Sequence, residues 1–327
     1  MIPFAKLGYT PDVQTAFHTA ARECTRADVP PVPGRVVSLD RGFPLVRTPE
    51  AQRRAELAAC LKKSDDSIVA VGDWVVLCEP AGHEKAVIER VLPRRTELAR
   101  VKRVGRERVT RRQVLAANVD TVLICQSLTG EGPDFRLLIR QMAAVAGCGA
   151  RPVFVFTKRD AVERAQLDEW LGQVHGFAPD VTVLVTAQDD AASIAAVRAC
   201  CAPETTAMLL GESGVGKSSL VNALVGSDVL DVGDVRAADD KGRHTTVARR
   251  MVDVPDGGVI IDAPGLRTLQ LLDVEACARA AFPDVLEAAG SCRFRDCAHE
   301  EEPGCAVRER IAPPRLAAYR FLLANVR

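Results

Sequence analysis

The sequence has no excess of either charge sign. Its 327 residues include 43 Lys and Arg and 43 Asp and Glu, so the formal net charge is +0. Overall charge therefore gives no indication of a nucleic-acid partner, and only a local cluster could do so. The chain also lacks an apolar run approaching the roughly 18 residues that a membrane span needs. The start, Met1 to Lys6, has no signal-peptide apolar core. We therefore expect a cytoplasmic protein with no membrane partner.

Internal repeats and low-complexity segments are absent as well, and the composition is that of an ordinary globular protein. With 47% apolar and 26% charged residues, the chain can bury a sizeable core in two or three domains. Most of the 11 cysteines stand singly among apolar residues, as Cys60, Cys125, Cys148 and Cys277 do. That placement is typical of reduced core thiols rather than disulfides.

Five stretches of different character divide the chain. We predict an N-terminal extension at 1–33, a barrel at 34–98, a basic linker at 99–116, an α/β domain at 117–270 and a helical region at 271–327. The barrel is predicted from short β-prone runs broken by turn residues, namely Arg35–Leu39, Ser67–Val71, Asp73–Leu77 and Lys85–Glu89. Several closely spaced short strands favour a small closed barrel, and the OB-fold is the leading candidate.

The α/β domain is predicted from apolar strands that alternate with helical stretches. Its first strands are Val119–Cys125, Pro152–Phe156 and Val181–Val185. Buried strands that alternate with helices indicate a parallel sheet.

A phosphate-binding loop is the strongest motif. Its eight residues fit the pattern G-x-x-x-x-G-K-[ST]: Gly211, Glu212, Ser213, Gly214, Val215, Gly216, Lys217 and Ser218. The strand Ala207–Leu210 precedes the loop, and a helix that begins with Ser218 and Ser219 follows it. Backbone N–H groups and the helix N-terminus favour phosphate there, so we expect Lys217 to reach the β- and γ-phosphates and Ser218 to bind Mg²⁺.

Thr157-Lys158-Arg159-Asp160 is a near match to the guanine motif N-K-x-D, with Thr in the place of Asn. The Asp160 carboxylate can accept hydrogen bonds from two guanine donors that adenine lacks on that edge. Taken alone, such a segment is more often a solvated loop, and Thr186-Ala187-Gln188 is only a loose match to the segment that backs the base. The motif lies upstream of the phosphate loop, which is the reverse of the familiar GTPase order and predicts a circularly permuted GTP-binding domain.

A third nucleotide motif follows an apolar strand. Asp262 and Gly265 fit D-x-x-G, so we expect Asp262 in the Mg²⁺ shell and the Gly265 N–H at the γ-phosphate. Between the phosphate loop and this motif lies the polar stretch 228–246, a candidate switch segment in which Thr246 is favoured over Thr245 as a Mg²⁺ ligand. The alternative is an ordinary mobile surface loop.

The catalytic Gln of Ras-like enzymes is missing, because Leu266 follows Gly265. Another group must position the attacking water, and His244 is the nearest polar candidate in the sequence. A lone loop histidine can equally be a solvated bystander.

Cys292, Cys297, His299 and Cys305 are spaced C-x4-C-x-H-x5-C. Three thiolates and an imidazole complete a tetrahedral Zn²⁺ shell that leaves no position for water, so the site is predicted to be structural. The alternative is a group of reduced surface thiols.

Basic residues cluster locally although they do not dominate overall. Between Arg90 and Arg112 there are ten of them: Arg90, Arg94, Arg95, Arg100, Lys102, Arg103, Arg106, Arg108, Arg111 and Arg112. The C-terminal region adds Arg308, Arg310, Arg315 and Arg320. We interpret these residues as contacts to RNA phosphates beside a barrel of a type that binds RNA, with a solvated linker as the alternative.

From about residue 34 to 327 the chain resembles the circularly permuted ribosome small-subunit-dependent GTPase A family of bacteria. The resemblance is carried by GESGVGKSSL, GRHTT, D-x-P-G and C-x4-C-x-H-x5-C in the family's order. It implies an OB-fold barrel, a permuted P-loop GTPase domain and a helical zinc-binding domain. It also implies late maturation of the small ribosomal subunit, hydrolysis stimulated by that subunit, and His244 as the catalytic residue. Thr157 for Asn and Ala263 for Thr depart from the family pattern.

Two hypotheses follow, together with a weaker third. The protein is a GTPase that binds the small subunit and its rRNA, with one Zn²⁺ per chain and Mg²⁺ with GTP, and is expected to be a monomer. Alternatively, it is an RNA-binding assembly module with nucleotide-regulated affinity and incidental turnover. An ATPase or kinase ranks below both, because Asp160 has no evident role with adenine. The permuted order further predicts that hydrolysis is sensed first by the zinc-binding region, which follows D-x-x-G directly.

Overall fold

The structure is a computed structural model that describes residues 2–24, 29–40, 43–62, 69–80, 82, 84–104, 109–187, 190–227, 249–262 and 268–324. Strands are β1 Val32–Asp40, β2 Phe43–Arg47, β3 Gln52–Leu57, β4 Trp74–Cys78, β5 Ala86–Val91, β6 Glu97–Val104, β7 Val109–Ala117, β8 Thr121–Ser127, β9 Arg151–Thr157, β10 Thr182–Val185, β11 Thr206–Leu210, β12 Arg249–Asp253 and β13 Val259–Asp262. Helices are α1 Pro11–Arg22, α2 Ala59–Lys62, α3 Phe135–Gly147, α4 Arg164–Phe177, α5 Ala191–Ala199, α6 Lys217–Val225, α7 Val274–Ala281, α8 Pro283–Ala289, α9 Ala306–Arg310 and α10 Pro313–Ala324, with 3-10 turns at Phe4–Leu7 and Arg159–Ala161.

The first five strands form a closed barrel. They hydrogen-bond in the order β1-β2-β3-β5-β4, and β4 returns to pair with β1. Apolar side chains that alternate along the strands fill the interior, among them Val36, Val46, Leu77 and Ile88. The predicted barrel is confirmed.

One predicted barrel strand is not formed as expected. Within 67–71, the described residues contribute only an isolated bridge from Val71 to Ala116. The barrel instead uses β2 and β3, which the sequence did not suggest because β3 buries Ala55 while Arg53, Arg54 and Glu56 face solvent.

The second half of the chain contains the predicted parallel sheet. Strands β10, β9, β8, β11 and β13 are parallel neighbours in that order, and β12 is antiparallel to β13. Large apolar residues such as Leu123, Phe154 and Phe156 are fully buried on these strands.

The barrel and the parallel sheet are continuous. Barrel strand β1 pairs antiparallel with β12, where Ser38 faces Arg250 and Leu39 faces Arg249. The result is a single 11-stranded sheet that runs through both regions.

The predicted basic linker is built as β6 and β7, an antiparallel pair. Some residues of the basic cluster between Arg90 and Arg112 are engaged within the protein: Arg94, which precedes the predicted linker, bonds to Asp73 at 2.7 and 2.8 Å and to Glu97 at 3.0 Å. Arg112 pairs with the same glutamate at 3.0 Å. Arg94 is therefore a structural residue rather than a free phosphate contact, and the described parts of the predicted linker, 99–104 and 109–116, are paired strands.

The N-terminal residues pack between the barrel and the parallel sheet. Lys6 Nζ pairs with Asp253 at 2.8 Å on β12, while Arg47 Nε of the barrel donates to the Ile2 carbonyl at 2.8 Å. The buried Arg35 donates to the carbonyls of Leu7 and Asn118, the latter at 3.0 Å. Residues predicted only as an extension thus bridge the two β structures.

The C-terminal helices pack on the α/β domain through α3 and α4, and Arg315 is central to this contact. Its guanidinium forms two bonds with Asp284, at 2.7 and 2.6 Å, and donates to the Phe177 carbonyl at 2.8 Å. Arg315 is 5% exposed, so its interpretation as an RNA contact is wrong. Arg308 and Arg310 remain exposed. Among the helices described, none is both long enough and apolar enough to cross a membrane.

Candidate nucleotide and metal sites

The predicted phosphate loop lies between β11 and α6. Gly211 sits so close to β8 that a Cβ there would meet the Cys125 carbonyl oxygen at 2.4 Å, and Gly214 and Gly216 have φ of 80° and 93°. Glycine satisfies both requirements. Glu212, Ser213 and Gly214 are exposed, whereas Val215 is buried. Lys217 opens α6, followed by the partly exposed Ser218 and Ser219.

The Lys217 ammonium folds back over its own loop. It donates to the carbonyls of Gly211 at 2.7 Å and Glu212 at 2.6 Å. Beneath it, burial raises the pKa of the Cys125 thiol to about 12, so this cysteine stays a neutral core residue. The loop therefore presents one cation and a run of backbone amides at the carboxyl end of β11, as anion binding requires.

Thr157 joins the base-recognition segment to the phosphate loop. This buried residue ends β9, and its hydroxyl donates to the Val215 carbonyl at 2.6 Å, with Gln126 O of β8 as a more distant acceptor at 3.3 Å. A hydroxyl has one hydrogen to donate, and the shorter distance assigns it to Val215. The Thr157 hydroxyl thus joins the two loops directly.

The rest of the base-recognition segment is also fixed. Lys158 adopts a left-handed conformation with φ of 61°, and the Arg159 N–H donates to the Thr186 carbonyl at 3.0 Å. The Thr186 N–H donates in turn to Phe156 O at 2.7 Å. Asp160 is left exposed and available to a ligand. Gln188 lies outside the described residues.

Asp262 ends β13, which is hydrogen-bonded to β11 beside the phosphate loop. Burial raises the pKa of its carboxyl, and the charges of Arg250 and Lys217 oppose that rise. A half-buried carboxylate that lies within the influence of the Lys217 charge belongs to the oxygen donors that Mg²⁺ prefers. His244, Thr246 and Gly265 lie outside the described residues, so their roles stay predictions.

The predicted metal ligands converge in space. One ligand atom from each of Cys292, Cys297, His299 and Cys305 lies within 4.8 Å of all the others. Cys292 Sγ is 3.7 Å from His299 Nδ1 and 4.0 Å from Cys305 Sγ, and Cys305 Sγ is 3.5 Å from His299 Nδ1. A tetrahedral ion with Zn–S and Zn–N distances of about 2.3 and 2.0 Å separates such pairs by about 3.5–3.8 Å. The cluster therefore fits a four-coordinate metal ion.

Backbone groups around this cluster support it. The His299 N–H bonds to Cys297, where burial nevertheless raises the pKa of the thiol to about 11. The N–H groups of Val307 and Arg308 bond to Cys305 and help to hold the pKa of that thiol below its usual value despite burial. Glu302 accepts the N–H groups of Ala298 and Glu300, both at 2.8 Å. Hydrogen bonds within the loop thus help to hold the region of the four ligands in shape.

Two features here were not expected from the sequence. The role of Thr157 as a tether was missed because the partner carbonyl is distant in the chain. The exposed Arg293-Phe294-Arg295 segment between two metal ligands was also missed, although an apolar residue flanked by arginines in a metal-binding loop could have indicated it.

The chain is similar to known proteins over most of its length. Residues 91–272 match the family described as RsgA GTPase. A "Small ribosomal subunit biogenesis GTPase RsgA" of Streptomyces coelicolor is 41% identical over 298 residues, covering 89% of this chain and 80% of that protein. A protein of the same name from Xanthomonas oryzae pv. oryzae is 39% identical over 306 residues, covering 90% and 81%.

Solved structures show the same fold. The crystal structure of YjeQ from Thermotoga maritima superposes with a TM-score of 0.69 at 22% identity, covering 90% of this chain and 98% of that one. That of YloQ, described as a circularly permuted GTPase, gives 0.65 at 20% identity, covering 90% and 94%. The permuted arrangement predicted from motif order is confirmed at the level of fold.

Proposed function

Because this chain belongs to the RsgA GTPase family, we propose that it binds the small ribosomal subunit during its late maturation and hydrolyses GTP to GDP and phosphate. The relatives carry small ribosomal subunit biogenesis in their names. We further propose that contact with the subunit stimulates hydrolysis, and that the protein acts as a monomer in the cytoplasm.

The contact between Thr157 and the Val215 carbonyl, at 2.6 Å, carries the proposal from the structure. It brings the base-recognition segment against the phosphate loop although the two motifs occur in inverted order. A guanine held by Asp160 and phosphates held by the Gly211–Ser218 loop can then belong to one nucleotide. An ATPase or kinase would leave Asp160 without a partner.

The roles of the individual residues follow from their positions. When nucleotide binds, the Lys217 ammonium would leave the loop carbonyls and bind the β- and γ-phosphates. The backbone N–H groups from Ser213 to Ser219 would surround these phosphates. Ser218, Asp262 and the predicted ligand Thr246 would hold Mg²⁺, which neutralises phosphate charge during transfer. His244 is proposed to position the attacking water, and Gly265 to contact the γ-phosphate.

We assign Zn²⁺ to the Cys292, Cys297, His299 and Cys305 cluster. Three thiolates and one imidazole are the donors typical of structural zinc. The ion would hold the C-terminal region in shape, and would take no part in hydrolysis.

Thr157 is predicted to hold the phosphate loop rather than to select the base. We expect Thr157→Val to weaken GDP and GTP binding about 5- to 150-fold, because it leaves the Val215 carbonyl without its buried donor, at a cost of about 1–3 kcal/mol. Titration calorimetry with GDP and ADP would show the same guanine preference as the original chain.

Two further variants distinguish a role in holding the phosphate loop from a role in selecting the base. Thr157→Asn should restore binding, since an amide can donate to the same carbonyl, whereas Asp160→Asn should lose the preference for guanine. A loss of guanine selectivity in Thr157→Val would instead place this side chain in the base pocket and contradict the prediction.

The function itself is tested by GTP hydrolysis with added small ribosomal subunits, using large subunits as the control. We expect turnover to rise only with small subunits, and His244→Ala to lose that rise while still binding nucleotide. Equal turnover with and without small subunits would favour the RNA-binding assembly module with incidental hydrolysis.

A further inference from the structure

Phe294 is an exposed aromatic side chain inside the metal-binding loop. It is 41% exposed, one of three large apolar residues with this degree of exposure among those described. It lies between the ligands Cys292 and Cys297, on a segment whose four intervening residues are all exposed. The ring is therefore open to a partner, on a loop segment that two predicted metal ligands enclose.

The neighbouring side chains give this ring a cationic setting. The Arg293 guanidinium lies over the Phe294 ring, 5.4 Å from its centroid. Arg295 follows directly and is exposed. Arg310 reaches back to the start of the loop, where it donates to Ser291 Oγ at 3.3 Å. The ring is thus accompanied by planar cations that also stack on nucleobases and bind phosphates.

The loop is held in place before any partner arrives. The Arg293 N–H donates to the Gly304 carbonyl at 3.2 Å. Gly304 has φ of 74°, and a Cβ there would meet the Arg293 Cβ at 3.3 Å, so the two chain segments pack closely. With metal ligands on both sides of the tip, Phe294 loses little backbone freedom when it binds, which favours affinity.

From this arrangement we infer that Arg293, Phe294 and Arg295 form a stacking platform for an unpaired nucleobase of RNA. This inference rests on the proposed function, because that function supplies an RNA partner. An RNA base would stack on the exposed part of the Phe294 ring, over which the Arg293 guanidinium already lies. Base–aromatic stacking is tolerant of sequence, since every base has a π-face.

Both charge signs occur around the platform. Asp296, Glu300 and Glu301 lie further along the loop and are exposed. Phosphate attraction is therefore partly offset, and the contribution of Phe294 comes from stacking. It should change little with salt, unlike a phosphate contact, whose affinity falls steeply as salt rises.

The test uses the full-length, metal-loaded chain and two fluorescent RNA probes of equal length, an oligoadenylate and a strand of abasic nucleotides. We expect Phe294→Ala to lower the affinity for oligoadenylate about 5- to 150-fold, from the cost of removing one stacking aromatic. Affinity for the abasic strand should not change, and Phe294→Trp should bind oligoadenylate at least as well as the original chain. Leu272→Ala, which removes another exposed apolar side chain, is the matched control and should have no effect.

Three measurements distinguish an effect of Phe294 on RNA binding from damage to the metal site or the nucleotide site. Metal content measured by mass spectrometry and basal GTP hydrolysis should be unchanged in Phe294→Ala, while more small subunits should be needed for half-maximal stimulation. If small subunits fail to stimulate even the original chain, the proposed function is wrong. The oligoadenylate measurement would still show whether Phe294 stacks on a nucleobase.

The inference is overturned if Phe294→Ala binds oligoadenylate as tightly as the original chain, or if the original chain shows no preference for oligoadenylate over the abasic strand. It is also overturned if Phe294→Ala loses only its binding to subunits. That outcome would assign the ring to a protein surface of the subunit.

Discussion

Removal of the bound metal is expected to unfold the loop from Ser291 to Cys305 and to loosen the C-terminal helices around it. In the described structure this loop has no helix or strand, so bonds to the proposed zinc ion would be its main source of order. Structural zinc contributes about 10–16 kcal/mol in small metal-folded domains. Chelator treatment, or Cys297→Ser, should therefore open the loop to proteolysis and lower the first thermal transition.

Nucleotide binding, measured with Mg²⁺ added back, should persist in the zinc-free protein, because none of the four Cys and His ligands belongs to the phosphate loop. Cys200→Ser is a suitable control, since Cys200 is a half-buried thiol outside the cluster. A Cys297→Ser variant that retains one metal per chain and full resistance to protease would show that these residues do not form the metal site.

Lys217→Ala is expected to give the second large effect, a loss of GTP and GDP affinity of about 30- to 5,000-fold. This range corresponds to the roughly 2–5 kcal/mol lost when one partner of a buried, hydrogen-bonded charge pair is truncated. The ammonium already clamps the carbonyls of Gly211 and Glu212 at 2.7 and 2.6 Å. Alanine therefore removes both the phosphate partner and a bond that shapes the empty loop.

Calorimetry with GDP and a non-hydrolysable GTP analogue would measure this loss. Lys85→Ala is the matched control, because Lys85 lies on the barrel over the Phe43 ring and should leave nucleotide affinity unchanged. Lys217→Ala with unimpaired affinity would mean that another cation binds the phosphates.

Motifs whose parts are close in sequence were predictable. The phosphate loop depends on a strand, glycines and a helix within one short stretch, and all three are formed as expected. The metal ligands likewise fall within a single loop, so their spacing alone indicated a common ion. In both cases the geometry is set by local backbone conformation, which residue type and spacing encode directly.

Features that depend on distant partners were not predictable. In the sequence Arg315 is indistinguishable from Arg308, yet Asp284 and the Phe177 carbonyl bury it. Arg94 looks like a free basic residue in the sequence because its partner Asp73 lies 21 residues earlier, just before β4. Such contacts are decided by tertiary packing, which neither composition nor periodicity specifies.

The sequence also suggested that hydrolysis is sensed first by the zinc-binding region, and the pairing of β1 with β12 adds a second route. Strand β12 begins at Arg249, directly after the predicted switch segment, and its neighbour on one side is the barrel strand β1. A displacement of β12 would thus be transmitted to the barrel through backbone hydrogen bonds as well as to the C-terminal region.

The same pairing determines how a deletion of the barrel should be interpreted. Without β1, strand β12 would become an unprotected edge with free backbone donors and acceptors, which is a template for pairing with another chain. A truncated GTPase region could then self-associate through that edge. Loss of activity after such a deletion would reflect an exposed sheet edge as much as the loss of an RNA-binding surface.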